Sequence, residues 1–175
     1  MTKPTRLFDL LRFQEVNTPG INIFNYKENG EWVGVSTSNF IQRVNTISKG
    51  LIAAGVQPND KVALISEKRL EWNLIDFAVQ QVGAVLVAIY PNISDNDYRF
   101  ILNDAEIKLC FVSNDSLYQR LLAIKESFPL VQNVYTLNIY NNIPNWSELV
   151  VKGTSVSDEQ LEAVMKQVSG ADLAT

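Results

Sequence analysis

An uncharged apolar run from Val82 to Tyr90 stands directly behind a segment that is apolar on nearly every side of a helix. This pairing narrows the fold more than any other feature of the chain. Gly55–Pro91 reads as a turn, a strand over Lys61–Ser66, a helix over Glu71–Val82 and a strand over Ala84–Tyr90. A strand without polar alternation needs protein on both faces. A helix carrying Trp72, Leu74, Ile75, Phe77, Ala78, Val79 and Val82 must be sandwiched rather than laid on a surface. Such a unit belongs inside a layered α/β domain.

The flanking sequence supplies matching elements. Ile21–Tyr26 and Glu31–Ser36 predict two strands joined through Asn29-Gly30, a strong hairpin signal. Ser36 is a good N-cap, and Phe40, Val44, Ile47 and Leu51 follow at helical spacing. Gly55 suits a left-handed cap, and Pro58 stops the helix from continuing. Ser94 with Asp97 and Ser157 with Gln160 carry the spacing of capping boxes. Tyr98, Ile101, Leu102 and Ala105 stripe one predicted helix; Leu117, Leu121, Ile124 and Phe128 stripe the next. Lys108–Ser113 and Asn133–Ile139 predict strands, Trp146–Val151 a short helix, and Leu161, Val164, Met165 and Val168 a last amphipathic one. Strands and helices alternate from residue 36 onward, so the expectation is a mainly parallel sheet flanked by helices and preceded by a β-hairpin. Residues 1–175 are read as one α/β subdomain, with an N-terminal arm over 1–20 and a C-terminal helix and end over 153–175. In the arm, Leu7, Leu10, Leu11 and Phe13 are read as one face of a short helix. That helix docks on the domain or, alternatively, touches a membrane surface.

Composition removes whole classes of function. There is no histidine, which excludes Ser-His-Asp and Cys-His catalysis and zinc sites of the usual composition. The net charge of −4 and the absence of a dense Lys/Arg cluster argue against nucleic acid. The single cysteine, Cys110, lies in an apolar run and reads as a buried, inert thiol. It permits no intrachain disulfide and fits a reducing, cytoplasmic compartment. The N-terminus has no sustained apolar stretch of the signal-peptide kind, and no run approaches the ~20 residues a membrane span requires. The sequons at Asn92, Asn114 and Asn145 are accordingly read as chance matches.

Familiar phosphate and nucleophile signatures are missing. No two of the eight glycines are two apart, so G-x-G does not occur, nor does a P-loop or a G-x-S-x-G elbow. The dense charge cluster Glu67, Lys68, Arg69 and Glu71 follows the first central strand. It is read as a solvated helix start with local ion pairs; the alternative is a site at the strand's carboxyl end. Trp32 and Trp72 each sit in an apolar pattern and are read as buried packing, with a ligand platform as the alternative.

Several short motifs recur in a specific order. They are Trp32, Ser36 and Asn39; Leu51-Ile52-Ala53-Ala54-Gly55-Val56; Pro58-x-Asp60-x-Val62-Ala63; Ser66-Glu67-Lys68-Arg69-x-Glu71-Trp72; Gly83-Ala84-Val85; and Ile89-Tyr90-Pro91. Together they resemble the N-terminal part of the AMP-forming acyl-CoA synthetases of the adenylate-forming superfamily, over about Trp32–Thr175. The Ser66–Trp72 stretch is similar to the long-chain fatty acid branch. Asn59, Lys68, Ala88 and Asn39 depart from the usual Gly, Asn, Pro and Glu. Asn39 weakens the capping box at Ser36.

The resemblance implies the N-terminal subdomain of the adenylate-forming ligase fold. The parent would use ATP, Mg2+ and CoA to turn a fatty acid into acyl-AMP and then acyl-CoA. It implies no catalytic residue and no metal ligand within residues 1–175, because the phosphate loop and the mobile C-terminal domain follow later in the family. The fragment is therefore expected to bind no cofactor and to be inactive alone. Its main partner is expected to be the remainder of its own ligase chain, and an exposed face or sheet edge is expected to favour self-association. Tyr90, Pro91 and Asn92 are implied to border the channel for CoA; a plain strand-to-helix turn is the alternative reading. The rival to the ligase reading is a free-standing α/β binding or interaction domain.

Overall fold

The computed structural model describes residues 3–175; the first two residues of the expected 1–20 arm lie outside the described residues. In chain order the elements are α1 (Asp9–Asn17), β1 (Asn22–Glu28), β2 (Glu31–Ser36), α2 (Thr37–Ala53), β3 (Lys61–Ile65), α3 (Leu70–Gln81) and β4 (Val85–Ile89). Then come α4 (Asp95–Asp104), β5 (Ile107–Val112), α5 (Asp115–Ala123), β6 (Asn133–Thr136), α6 (Ser147–Gly153) and α7 (Asp158–Gln167). A 3-10 turn over Lys125–Ser127 trails α5, where a longer helix is expected from the sequence. β1 and β2 form an antiparallel hairpin, and the other strands form a parallel sheet in the order β4-β3-β5-β6.

The sheet divides two apolar layers by strand alternation. Val62, Leu64, Leu86, Leu109, Phe111 and Tyr135 face α2 and α3. Ala63, Ile65, Ile89, Cys110, Val112 and Val134 face α4 and α5. Period-two alternation within runs that look uniformly apolar is what a sheet covered on both sides requires. No residue of α3 is exposed. Its inner face meets the sheet and α2, while Phe77 packs outward against Phe8, Leu161 and Met165. Between α2 and α3, Ser48 donates to Gln81 Oε1 at 2.7 Å, and Gln81 Nε2 reaches Asn45 Oδ1 at 3.2 Å. This satisfies polar groups that burial would otherwise penalise.

Local punctuation behaves as the sequence predicts. Asn29 and Gly30 both take positive φ, 51° and 87°, the pattern of a two-residue type I′ hairpin turn. Ser94 and Ser157 form reciprocal capping boxes with Asp97 and Gln160. Ser36 accepts from the Asn39 amide without a return bond, as expected when Asn stands in for Glu. Asn59 has φ 68°, a left-handed conformation that Gly adopts freely and Asn tolerates.

Three expectations are corrected. Trp32 is 70% exposed, not buried: Val33 and Val35 point inward, and alternation then puts Trp32 on the outer face of β2. There it pairs across the hairpin with Lys27, whose Nζ lies 5.3 Å from the ring centroid. The inner face of α1 is Phe8 and Leu11, whereas Leu7, Leu10 and Phe13 are exposed. Its rotation is set by anchors outside the apolar pattern: Arg6 pairs with Asp9 and donates to the Met165 carbonyl, and Arg12 pairs with Glu162. The last strand stops at Thr136 rather than Ile139. The buried Asn145 amide donates to the carbonyls of Thr136 and Asn138 and draws the chain into a turn there.

α2 and α6 approach almost backbone to backbone. A Cβ on Gly153 would lie 2.6 Å from the Gly50 nitrogen, and one on Gly50 would lie 2.4 Å from the Leu149 carbonyl oxygen. A Cβ on Gly34 would also collide, but only with the movable amide of Asn22. Gly153→Ala is expected to cost about 1–3 kcal/mol through overpacking. Gly34→Ala is expected to change stability by less than about 0.5 kcal/mol, as surface changes usually do. Urea unfolding of both variants checks the contrast.

Candidate functional site

Pairing register puts the four strand ends level. Ile65 lies opposite Ile89 and Val112, and Val112 opposite Thr136. The segments that follow, Ser66–Arg69, Tyr90–Asn92, Ser113–Asn114 and Leu137–Asn138, therefore emerge along one edge of the sheet. The connection from β3 to β4 runs over one face through α3, and that from β4 to β5 over the other through α4. The strand order thus reverses at β3, with its switch point between β3 and β5. Open α/β sheets bind ligands at the carboxyl ends of strands at such a point. Arg69 spans it, with Nη1 2.9 Å from Asn138 Oδ1 beyond the end of β6.

The charge cluster Glu67, Lys68, Arg69 and Glu71 holds a local ion pair at the start of α3, as one of its sequence readings expects. Arg69 Nε and Glu71 Oε2 form an ion pair at 2.8 Å beside the start of α3. All four residues also line an open cleft of about 900 Å³, closed on its other side by Tyr26, Trp32 and Arg43. Burial pushes the Glu71 carboxyl up, but the Arg69 hydrogen bond and the charges of Arg69 and Arg43 hold it below its ordinary 4.5. Trp72, by contrast, is partly buried against the α2–α3 layer. Arg43 and Tyr26 were not legible as cleft residues, because nothing local places the hairpin and α2 opposite the β3–α3 loop.

The Tyr90–Asn92 turn leaves β4 at the same edge. The Tyr90 side chain is 78% exposed, Pro91 half-buried and Asn92 exposed. Its main chain is fixed from behind. The Tyr98 hydroxyl donates to the Tyr90 carbonyl at 3.2 Å, and Arg120 Nη2 donates to the Ile93 carbonyl at 2.6 Å. Arg120 Nε also reaches Asp95 Oδ1 at 2.5 Å, and its guanidinium lies 4.8 Å from the Tyr98 ring centroid. Burial raises the Tyr98 hydroxyl above its ordinary 10.0, against the pull of Arg120. Neither Tyr98 nor Arg120 carries a sequence signal for this contact; a Tyr at a helix-stripe position signals core alone.

Cys110 is wholly buried, and desolvation pushes its thiol far above the ordinary 9.0. Among the described residues, no group of three or more His, Cys, Asp or Glu side chains is placed to hold a metal ion. Nor is any helix among them long and apolar enough to cross a membrane.

The profile of the AMP-binding enzyme family matches residues 13–175. Among curated proteins, the long-chain-fatty-acid–CoA ligase FadD15 of Mycobacterium bovis is 32% identical over 162 residues, covering 92% of this chain and 27% of that protein. The long-chain-fatty-acid–CoA ligase ACSBG2 of Homo sapiens is 23% identical over 145 residues, covering 80% of this chain and 22% of that protein. The chain thus spans about a quarter of the length of these relatives. Among solved structures, a long-chain-fatty-acid–CoA ligase from Archaeoglobus fulgidus superposes with a TM-score of 0.72 at 18% identity, over 87% of this chain and 31% of that one. A fatty acyl CoA synthetase from Mycobacterium tuberculosis gives 0.68 at 16% identity, over 96% of this chain and 29% of that one. At these identities the structures show a shared fold.

Two outcomes follow from the local chemistry. The lowered Glu71 carboxyl contributes stability that is full above its ordinary 4.5 and declines as pH falls through its folded value. Glu71→Gln is expected to lose about 1 kcal/mol at pH 7, with the difference narrowing as pH drops below 4.5, by urea unfolding at both pH values. Cys110 is expected to resist Ellman's reagent at pH 8 until denaturant unfolds the chain; native labelling at the rate of a free thiol contradicts its burial.

Proposed function

The chain belongs to the AMP-binding enzyme family, and on that premise we propose that it is the N-terminal part of an ATP-dependent ligase joining a long-chain fatty acid to CoA. The observation that carries this reading is the likeness, over nearly the whole chain, to a ligase of that named activity. In the reaction a carboxylate attacks the α-phosphorus of ATP, forming acyl-AMP and releasing pyrophosphate. The CoA thiol then displaces AMP and leaves the acyl group as a thioester.

Residues 1–175 serve this chemistry as scaffold. Magnesium bound with ATP takes phosphate oxygens and water with one or two carboxylates, and among the described residues no cluster of three or more acidic, His or Cys side chains marks a place for it. No step of phosphoryl chemistry is therefore assigned to these side chains. What they contribute is a carboxyl edge held level by the sheet, on which the Tyr90–Asn92 turn borders the route of the CoA arm. Its exposed position just past β4, with its carbonyls drawn inward, supports that role. A reducing compartment suits a chain whose one cysteine, Cys110, is buried with no second cysteine to pair with. The exposed Leu7, Leu10 and Leu173 favour contact with further protein, including self-association, over a solvated surface. Contact with a membrane surface draws on the same leucines.

Two proteins test the reading: the 175-residue chain and the whole product of the gene that carries it. With ATP, Mg2+, CoA and palmitate, the whole product is expected to release pyrophosphate and form acyl-CoA, and the 175-residue chain to do neither. No acyl-CoA from the whole product with acids of any length overturns the ligase reading. A preference for acetate overturns the long-chain assignment. Acyl-AMP formed by the 175 residues alone overturns the scaffold role.

A further inference from the structure

We propose that Arg120, on α5, is a positioning residue that sets the Tyr90–Ser94 turn for the thiol-transfer half of the reaction; this rests on the ligase reading above. The turn follows an edge strand, and two of its main-chain carbonyls are held from behind by side chains. Tyr98 on α4 holds the Tyr90 carbonyl at 3.2 Å, and Arg120 on α5 holds the Ile93 carbonyl at 2.6 Å. These two anchors bracket Pro91 and Asn92, so neither end of the segment is left free to swing.

Arg120 joins the two anchors into one unit. Its Nε holds Asp95 in the first turn of α4 at 2.5 Å, and its guanidinium plane covers the Tyr98 ring at 4.8 Å. One side chain therefore fixes the exit of the turn, the start of the next helix and the ring whose hydroxyl fixes the entry. A planar, forked cation meets all three demands at once; a Lys ammonium has three donors but gathers them at one point, so it does not hold both acceptors in this geometry and cover the ring as well. The side chain is about one-third exposed, so the clamp is not a core element on which folding depends. The capping box of Ser94 and Asp97 holds the helix start independently. Losing Arg120 is therefore expected to loosen the turn rather than unfold α4.

On the ligase reading, a thiol arm passing Tyr90–Asn92 feels any shift in this contact set. Small misplacements near a reacting group are costly in rate. Arg120 touches no substrate in this account; it acts through the main chain.

The test has two independent arms. In the 175-residue chain, the backbone NMR order parameters of Asn92 and Ile93 are expected to fall from about 0.85 to below about 0.6 in Arg120→Met and to be partly restored in Arg120→Lys, while those of β3 stay unchanged. Unchanged order parameters in the turn overturn the clamp. In the whole gene product, Arg120→Met is expected to raise KM for CoA about tenfold, with KM for ATP within about twofold of wild type. Tyr98→Phe, which deletes only the hydroxyl contact, is expected to move KM for CoA the same way by less, and it covers the case of a poorly folding Arg120 variant. Equal changes in both KM values, or none in that for CoA, overturn the positioning role. Wild-type protein without CoA-dependent turnover overturns the ligase reading and the positioning role with it, while the order parameters still decide the clamp.

Discussion

Burial of a four-stranded parallel sheet on both faces is the constraint on which everything else in this molecule depends. β3 lies between β4 and β5, and its side chains alternate between two apolar layers. Parallel strands need crossovers, and crossovers put helices on both faces. α3 is consequently enclosed, with the sheet inside and α1 and α7 outside. The level register of the strands turns the same constraint into a site, since every loop that follows a strand opens on one edge. Burial of the backbone thus decides where ligand-facing residues are available before any of them is chosen.

That edge separates into two regions of different chemistry. Beyond β3, the charged loop faces the hairpin across a polar cleft rimmed by Trp32 and Arg43. Beyond β4, a short turn presents Tyr90 and Asn92 outward and is braced by Tyr98 and Arg120 from two helices of the opposite layer. The first is held by the Arg69–Glu71 pair and the Arg69–Asn138 bond, the second by a clamp on the main chain. Both use arginine to link segments that are distant in sequence. The planar fork of arginine can satisfy several fixed acceptors at once. Scaffold and site are therefore one network rather than a core with loops added.

Much of this was legible because its causes are local. Asn29-Gly30, Gly55 and Gly83 sit where φ is positive, and Ser94 and Ser157 cap helices through residues three positions on. The buried strands announced themselves as apolar runs, and the ordered motifs from Trp32 onward carried the family. What failed depended on distant partners. The face of α1 is set by Arg6 and Arg12 reaching α7, so its apolar residues alone gave the wrong stripe. Trp32 looked like core because it is apolar, yet the inward direction of Val35 fixes it outside. Tyr90–Asn92 was found through resemblance, but the Arg120 contacts behind it, to Asp95 and Ile93, join residues 25 and 27 apart and leave no spacing to read.

The central proposal is that the Tyr90–Asn92 turn, at the carboxyl edge of this sheet, lines the CoA route of an acyl-CoA ligase. Photocrosslinking of the whole gene product with a CoA analogue carrying a diazirine on its pantetheine arm, followed by peptide mapping, tests it most directly. The account predicts label on the peptide containing Tyr90–Asn92, lost in the presence of excess CoA. Competable label that falls only elsewhere, with none on that peptide, would contradict it.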